Sequence, residues 1–236
     1  MTIRPGLSRR AALLGLSAAP SVVLAASRDA GAASPQPGAC LLTPQSIEGP
    51  FYLDPRLVRP NLVEGRPGVP LRLDLRVVEA GSCTPLRGAR VDVWHADAQG
   101  LYFGYEAQGD RRRISTVGQS FLRGTQLSDG IGAVAFETLY PGWYPGRATH
   151  VHFKVFVDSR TLVTGQMYFP DETNEAVYRT EAAYGNRLFK RDTLNATDVF
   201  ARSEDPRRLG FCTMRREGGV YVASLTIAVE GRKARG

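Results

Sequence analysis

The sequence predicts an all-β protein: a β-sandwich core of mostly antiparallel strands, with long loops and one or two short helices. Three observations lead there. Glycine (25) and proline (15) are frequent along the 236 residues, which suits many turns and short strands. Several segments alternate apolar and polar residues with period two. Only "DETNEAVYRTEAAYGNRLF" has the composition of a helix, opening on Asp171 and Glu172. Hydrophobic residues make up 43% of the chain, enough for a continuous core.

Taken in order, "LLTPQSIEGPFYLDPRLVRPNL" is studded with turn residues and reads as an irregular arm. "PLRLDLRVVEA" then sets Leu71, Leu73, Leu75 and Val77 on one face against Arg72, Asp74 and Arg76, the pattern of a half-exposed strand. "GSCTPLRG" is a connection, and "ARVDVWHADAQG" alternates again with Val91 and Val93 inward. "GAVAFETLYPG", "THVHFKVFV" and "GQMYFP" are further strands. "GVYVASLTIAVEG" closes the set, with Val220, Val222, Ser224 and Thr226 opposite Tyr221, Ala223, Leu225 and Ile227. There is no internal repeat, no G-x-G-x-x-G and no P-loop.

Residues 1–32 read as an address. Arg9 and Arg10 precede a mild Ala/Leu/Val run over residues 11–26, and Ala30-Gly31-Ala32 offers a cleavage site. The run is shorter than the roughly 20 apolar residues of a spanning helix. Twin arginines predict a Tat-type signal and export, and an ordinary secretory signal is the alternative. Residues 33–50 follow as a flexible spacer and arm, and residues 51–236 form the sandwich domain. Net charge is +7; Arg4, Arg9, Arg10 and Arg28 against Asp29 give the leader +3, so the remainder carries +4. That mild charge, with no Lys/Arg cluster among aromatics, gives nucleic-acid binding little support and suits an anionic small substrate. The mature chain has no integral membrane segment. Cys40, Cys83 and Cys212 lack C-x-x-C spacing, which disfavours a thiolate zinc site. In an oxidising compartment Cys40–Cys83 is the favoured disulfide, with three free thiols as the alternative.

The chemistry concentrates in "YPGWYPGRATHVHFKV". On a strand, residues i and i+2 share a face, so His150 and His152 stand side by side about 7 Å apart at the Cα. The preceding turn, stiffened by Pro141 and Pro145, holds Tyr144 and Arg147 over the same spot. These are nitrogen and oxygen ligands. Zinc or a ferrous triad would need a carboxylate that no nearby pattern supplies. A phenol, with a pKa near 10, becomes a ligand at neutral pH beside a strong Lewis acid such as ferric iron.

Together with "LTPQSIEGPFY", "VDVWHADAQGLYFGY" and "TGQMYFPD", this segment resembles the intradiol ring-cleavage dioxygenases, over residues 41–171. The resemblance implies an Fe(III) cofactor held by Tyr102, Tyr144, His150 and His152. It implies a small aromatic diol and O2 as reactants, with cleavage between the two hydroxylated carbons to a muconate-type diacid. Tyr144 doubles as a proton acceptor. Arg147 stabilises negative charge on the ring, and Gln166 orients the oxygen-derived group or the Arg147 side chain. Phe51 or Tyr52 touches the ring. Tyr105, Tyr140 and His95 are expected to be packing residues. Arg56, Arg59 and Arg123 stand open as cations for a carboxylated substrate, none preferred. Tyr144 and His150 are only six positions apart, closer than in many members, so part of the pocket wall must come from elsewhere and the substrate stays open. Homo-oligomerisation is also open. Two competing readings remain: Fe(II) or zinc on the same histidine pair, and an exported β-sandwich binding module without catalysis.

Overall fold

A computed structural model describes residues 40–54 and 56–231. The signal segment and the start of the spacer lie outside the described residues. The strands are β1 (Pro70–Glu79), β2 (Arg90–Trp94), β3 (Arg123–Leu127), β4 (Ala133–Leu139), β5 (His150–Val157), β6 (Arg160–Tyr168), β7 (Thr213–Glu217) and β8 (Val220–Val229). They form two four-stranded sheets, ordered β4-β1-β8-β7 and β3-β2-β5-β6. All pairings between these strands are antiparallel except β1 with β8. Two short helices, α1 (Asp171–Thr180) and α2 (Val199–Ser203), lie in the long segment between β6 and β7. This is the predicted sandwich.

Alternation decides which residues fill it. Leu71, Leu73, Leu75 and Val77 from β1 and Ala223, Leu225 and Ile227 from β8 are buried as one layer. They share a core with Val91 and Val93 of β2, Val151, Phe153 and Val155 of β5, and Val163 and Met167 of β6. Gly165 lies opposite Phe153 in the β5–β6 register. A Cβ there would come within 2.2 Å of the Phe153 ring, so only glycine fits beside that phenylalanine.

The strands β3 ("RGTQL") and β7 ("TMRRE") are not announced by the sequence. Both are five residues long and mostly polar, too short to show a period. Pairing with a neighbour on one side organises them, β3 on β2 and β7 on the longer β8. β6 also begins before "GQMYFP", at Arg160.

The arm is tied down from its first described residue. Cys40 is disulfide-bonded to Cys83, and Cys212 is a buried free thiol. Thr43 exchanges hydrogen bonds with Ala228 of β8, while Ser46 N donates to Thr164 O of β6. Farther on, the arm stitches the sheet edges together: Arg59 N donates to Thr125 O of β3, and Leu62 N to Glu137 O of β4. Among the described residues no helix is long and apolar enough to cross a membrane.

Candidate metal centre

Three strands of one sheet place the polar side chains. Val151, Phe153 and Val155 face the interior, so His150 and His152 take the outer face of β5. In register with them, Trp94 of β2 lies opposite His152, Gln166 of β6 opposite His152 on the other side, and Tyr168 opposite His150. The Trp94 and His152 rings stack at 4.8 Å, nearly parallel. Gly49 of the arm passes over the same imidazole, 3.5 Å from its Cε1 by the ideal Cβ position. The outer face of this sheet is thereby roofed, and both histidines are 2% exposed.

Two loops bring the phenols. Tyr102 follows β2 and is buried beside Trp94 and Ala96. Tyr144 comes from the Pro/Gly turn before β5. It is the more exposed phenol, and its ring meets that of Tyr102 edge-on at 5.7 Å. Gly142 lets this turn approach closely, since a Cβ there would lie 2.5 Å from the carbonyl oxygens of Asp97 and Ala98.

The atoms converge. Nδ1 of His150 donates to Ala148 O at 2.6 Å, which leaves a lone pair on Nε2 in the neutral ring. Tyr144 Oη lies 3.0 Å from that Nε2, and His152 Nε2 lies 3.0 Å from it as well. Among the described residues, neither the buried Tyr102 Oη nor Nδ1 of His152 has a hydrogen-bond partner. Neutral protein groups satisfy this cluster poorly: two atoms compete for one lone pair and a buried hydroxyl is left over. A shared cation would take up the Nε2 lone pairs and the phenol oxygens. Nitrogen ligands at bonds of about 2.0–2.1 Å, at right angles, lie about 3 Å apart.

Electrostatics agree. Burial, then the charge of Arg147, holds His150 well below the ordinary imidazole pKa; burial, then His150 and Arg147, does the same for His152. Both rings are neutral and ready to donate lone pairs. Burial is also the first cause that raises Tyr102 and Tyr144 above the usual phenol range. A phenolate in this place needs a cation beside it. Among the described residues no group of three or more His, Cys, Asp and Glu side chains converges. A zinc or ferrous site built on a carboxylate therefore has no support here.

Arg147 and Gln166 also meet. Nη2 of Arg147 donates to Gln166 Oε1, Nε donates to Asp198 Oδ2 at 2.9 Å, and the guanidinium lies over the Phe200 ring. Asp198 is fully buried. Its Oδ2 also accepts from Ala148 N, and its Oδ1 caps α2 at Phe200 N and Ala201 N. The sequence reading missed Asp198. Its one signal is an N-cap residue type ahead of a helix too short to show a period.

Of the arm pair, Phe51 stacks on Tyr102 at 4.6 Å and lines a cavity of about 320 Å³ with Tyr102 and Tyr144. Tyr52 does not line it; its hydroxyl donates to Asp92. The far wall is built from residues 107–110, Arg112 and Arg187. His95 faces Thr138 and is fully buried, with Nδ1 donating to Ala96 O and Nε2 2.7 Å from Thr138 Oγ1. Tyr140 is fully buried and donates to Asn174, and Tyr105 donates to Tyr52 O. Arg123 is buried on the carbonyls of Leu53, Phe51 and Phe103, and Arg59 holds Ser120 O and Arg123 O. Neither lines the cavity.

The Dioxygenase family model, Dioxygenase_C, matches residues 47–204. The chain is 32% identical over 161 residues to the protocatechuate 3,4-dioxygenase beta chain of Burkholderia cepacia, covering 62% of this chain and 66% of the relative. It is 31% identical over 166 residues to the catechol 1,2-dioxygenase of Candida albicans, covering 58% and 51%. The chain thus spans between half and two-thirds of the curated relatives it matches. An intradiol ring-cleavage dioxygenase from Tetranychus urticae superposes with a TM-score of 0.73 at 28% identity, over 83% of this chain and 98% of that one. The sandwich, the convergent phenols and imidazoles and these matches lead to one assignment: the chain belongs to the intradiol ring-cleavage dioxygenases.

Proposed function

We propose that the protein is a non-haem Fe(III) dioxygenase that cleaves a catechol-type diol between its hydroxylated carbons, using O2, to a muconate-type diacid. The observation that supports this most is the meeting of Tyr102, Tyr144, His150 and His152, with the buried Tyr102 hydroxyl making no hydrogen bond among the described residues. These four side chains would hold the iron. When bound, ferric iron supplies the Lewis acidity and redox activity through which the diol and O2 react.

The chain's own residues do the rest. Phe51 and Tyr102 stack along one side of the cavity and exclude water from the ring. Tyr144, the more exposed phenol, accepts the proton of a diol hydroxyl at its Oη. Arg147 brings a fixed positive charge beside the site and stabilises negative charge that develops on the ring. Gln166 and Asp198 clamp that guanidinium from two sides.

Export is part of the same proposal. It rests on the twin-arginine leader in the sequence, and the Cys40–Cys83 disulfide suits an oxidising compartment.

The test combines metal, colour and turnover. The purified protein should contain stoichiometric iron, absorb visible light and take up oxygen with catechol-type diols. Tyr144→Phe should change the visible spectrum and slow turnover. An unchanged spectrum with full activity removes Tyr144 from the site, and a colourless, iron-free protein removes the reading altogether.

A further inference from the structure

The hydrogen bonds around α2 close into a ring that the arm completes. Asp198 caps the start of α2 and Glu204 its end. Oδ2 of Asp198 accepts from Nε of Arg147 at 2.9 Å. Nη2 of Arg147 donates to Gln166 Oε1, and Nε2 of Gln166 donates to Ile47 O at 3.1 Å. The N–H of the same Ile47 donates to Glu204 Oε2 at 3.1 Å, and Ser46 Oγ donates to that oxygen too. The ring runs from Glu204 through Ile47, Gln166, Arg147 and Asp198, and back through α2. Resting on the dioxygenase reading above, we propose that Glu204 is a positioning residue for Arg147, acting through Ile47 and Gln166.

Gln166 is the link that needs holding. Its Oε1 accepts from both Arg147 and Tyr168 Oη, so both lone pairs of that oxygen are taken. An amide turned over would face these two donors with its own N–H groups. The acceptor that prevents this is Ile47 O. Packing does not fix Ile47, whose side chain is 45% exposed. Before it, Ser46 N is tied to Thr164 O of β6; after it, Gly49 takes a positive φ of 73°, where the chain bends over His152. Between those points Ile47 is oriented by Glu204 on its N–H and by Gln166 on its carbonyl. Without Glu204 the Ile47 carbonyl loses its fixed direction, the Gln166 amide loses its preferred end, and Arg147 is held by Asp198 alone. A charge that stabilises a transition state acts only where the opposite charge develops.

The experiment compares Glu204→Ala, Glu204→Gln and Lys154→Ala in the iron-loaded protein. Lys154 pairs with Glu48 and lies over the Tyr52 ring, so its loss loosens the arm without touching the ring of hydrogen bonds. In Glu204→Ala, kcat for a catechol-type diol should fall about tenfold, the scale of losing a supporting partner of a reactive site. Arg147 acts on charge that develops after binding, so KM should stay within about twofold. Iron content and visible spectrum should match wild type, and hydrogen exchange across residues 46–49 should quicken. Glu204→Gln keeps an acceptor oxygen for Ile47 N and should restore most of kcat and of the slow exchange. Lys154→Ala should keep kcat close to wild type. Wild-type kcat or wild-type exchange in Glu204→Ala overturns the proposal, as does an equal loss in Lys154→Ala or a loss that Glu204→Gln does not repair. No oxygen uptake by wild type with any catechol-type diol counts against the dioxygenase reading instead. Exchange across residues 46–49, and the Arg147–Gln166 contact in a crystal structure of Glu204→Ala, then decide the role of Glu204.

Discussion

The two sheets have similar inner faces and opposite fates outside. On the β4-β1-β8-β7 sheet, Arg72, Asp74, Arg215 and Glu217 form a surface ion-pair network, with side chains 31–48% exposed. On the β3-β2-β5-β6 sheet, the outward positions include Asp92, Trp94, His150, His152, Gln166 and Tyr168, and these six are buried. Both faces come from the same period-two pattern. The difference is cover: the arm, the loop after β2 and the turn before β5 roof the second sheet. Water satisfies polar groups on the open face, whereas polar groups under a roof must find partners or a ligand. Among the described residues, the roofed face is where Tyr102 Oη and His152 Nδ1 lack hydrogen-bond partners.

The largest effect should come from under the roof. Asp198→Ala leaves the Arg147 guanidinium without its carboxylate, Ala148 N without an acceptor and α2 without a cap. Breaking such a buried pair costs about 3–5 kcal/mol, measurable as a fall in the guanidinium chloride midpoint. A change below about 1 kcal/mol would show that the roof tolerates an unpaired charge.

The interior shared by the sheets should give the next effect. Burial holds His95 neutral and pushes its pKa down to about 4. In the unfolded chain it titrates near 6.5, so there it takes up the proton first as pH falls. This contribution to stability is intact above about pH 6.5 and declines toward pH 4, by about 3 kcal/mol in all. Comparing wild type with His95→Gln across that range separates it from the other histidines. Parallel stability curves would refute it.

The smallest effect belongs to the open face. Arg215→Ala removes contacts to Asp74 and Glu217, yet the unfolding midpoint should stay within error of wild type, at low or high salt. A clear loss would mean that this surface network acts as a cooperative unit and that the contrast between the faces is smaller than drawn.

The grouping of the candidate side chains was largely legible because its signals are local. The H-x-H spacing places two imidazoles on one face, and the Pro/Gly turn explains how Tyr144 and Arg147 arrive beside them. Long strands such as β1 and β8 show their period plainly. β3 and β7 are legible only through their partners, because five mostly polar residues carry no pattern. Asp198 and the Asp110–Arg187 ion pair were not legible for a related reason. Each acts on a segment far away in the chain, and nothing in its neighbours announces the distant partner.

By itself, the sequence determined the alternation that makes two sheets, the residue types available to a cation and the face on which the histidine pair stands. The tertiary structure decided which outer face is roofed, which phenols reach the imidazoles, and which arginines are consumed by carbonyls and carboxylates. The reason is physical. Backbone periodicity is set by neighbours one or two residues apart, whereas burial and charge pairing are set by whatever the folded chain brings alongside.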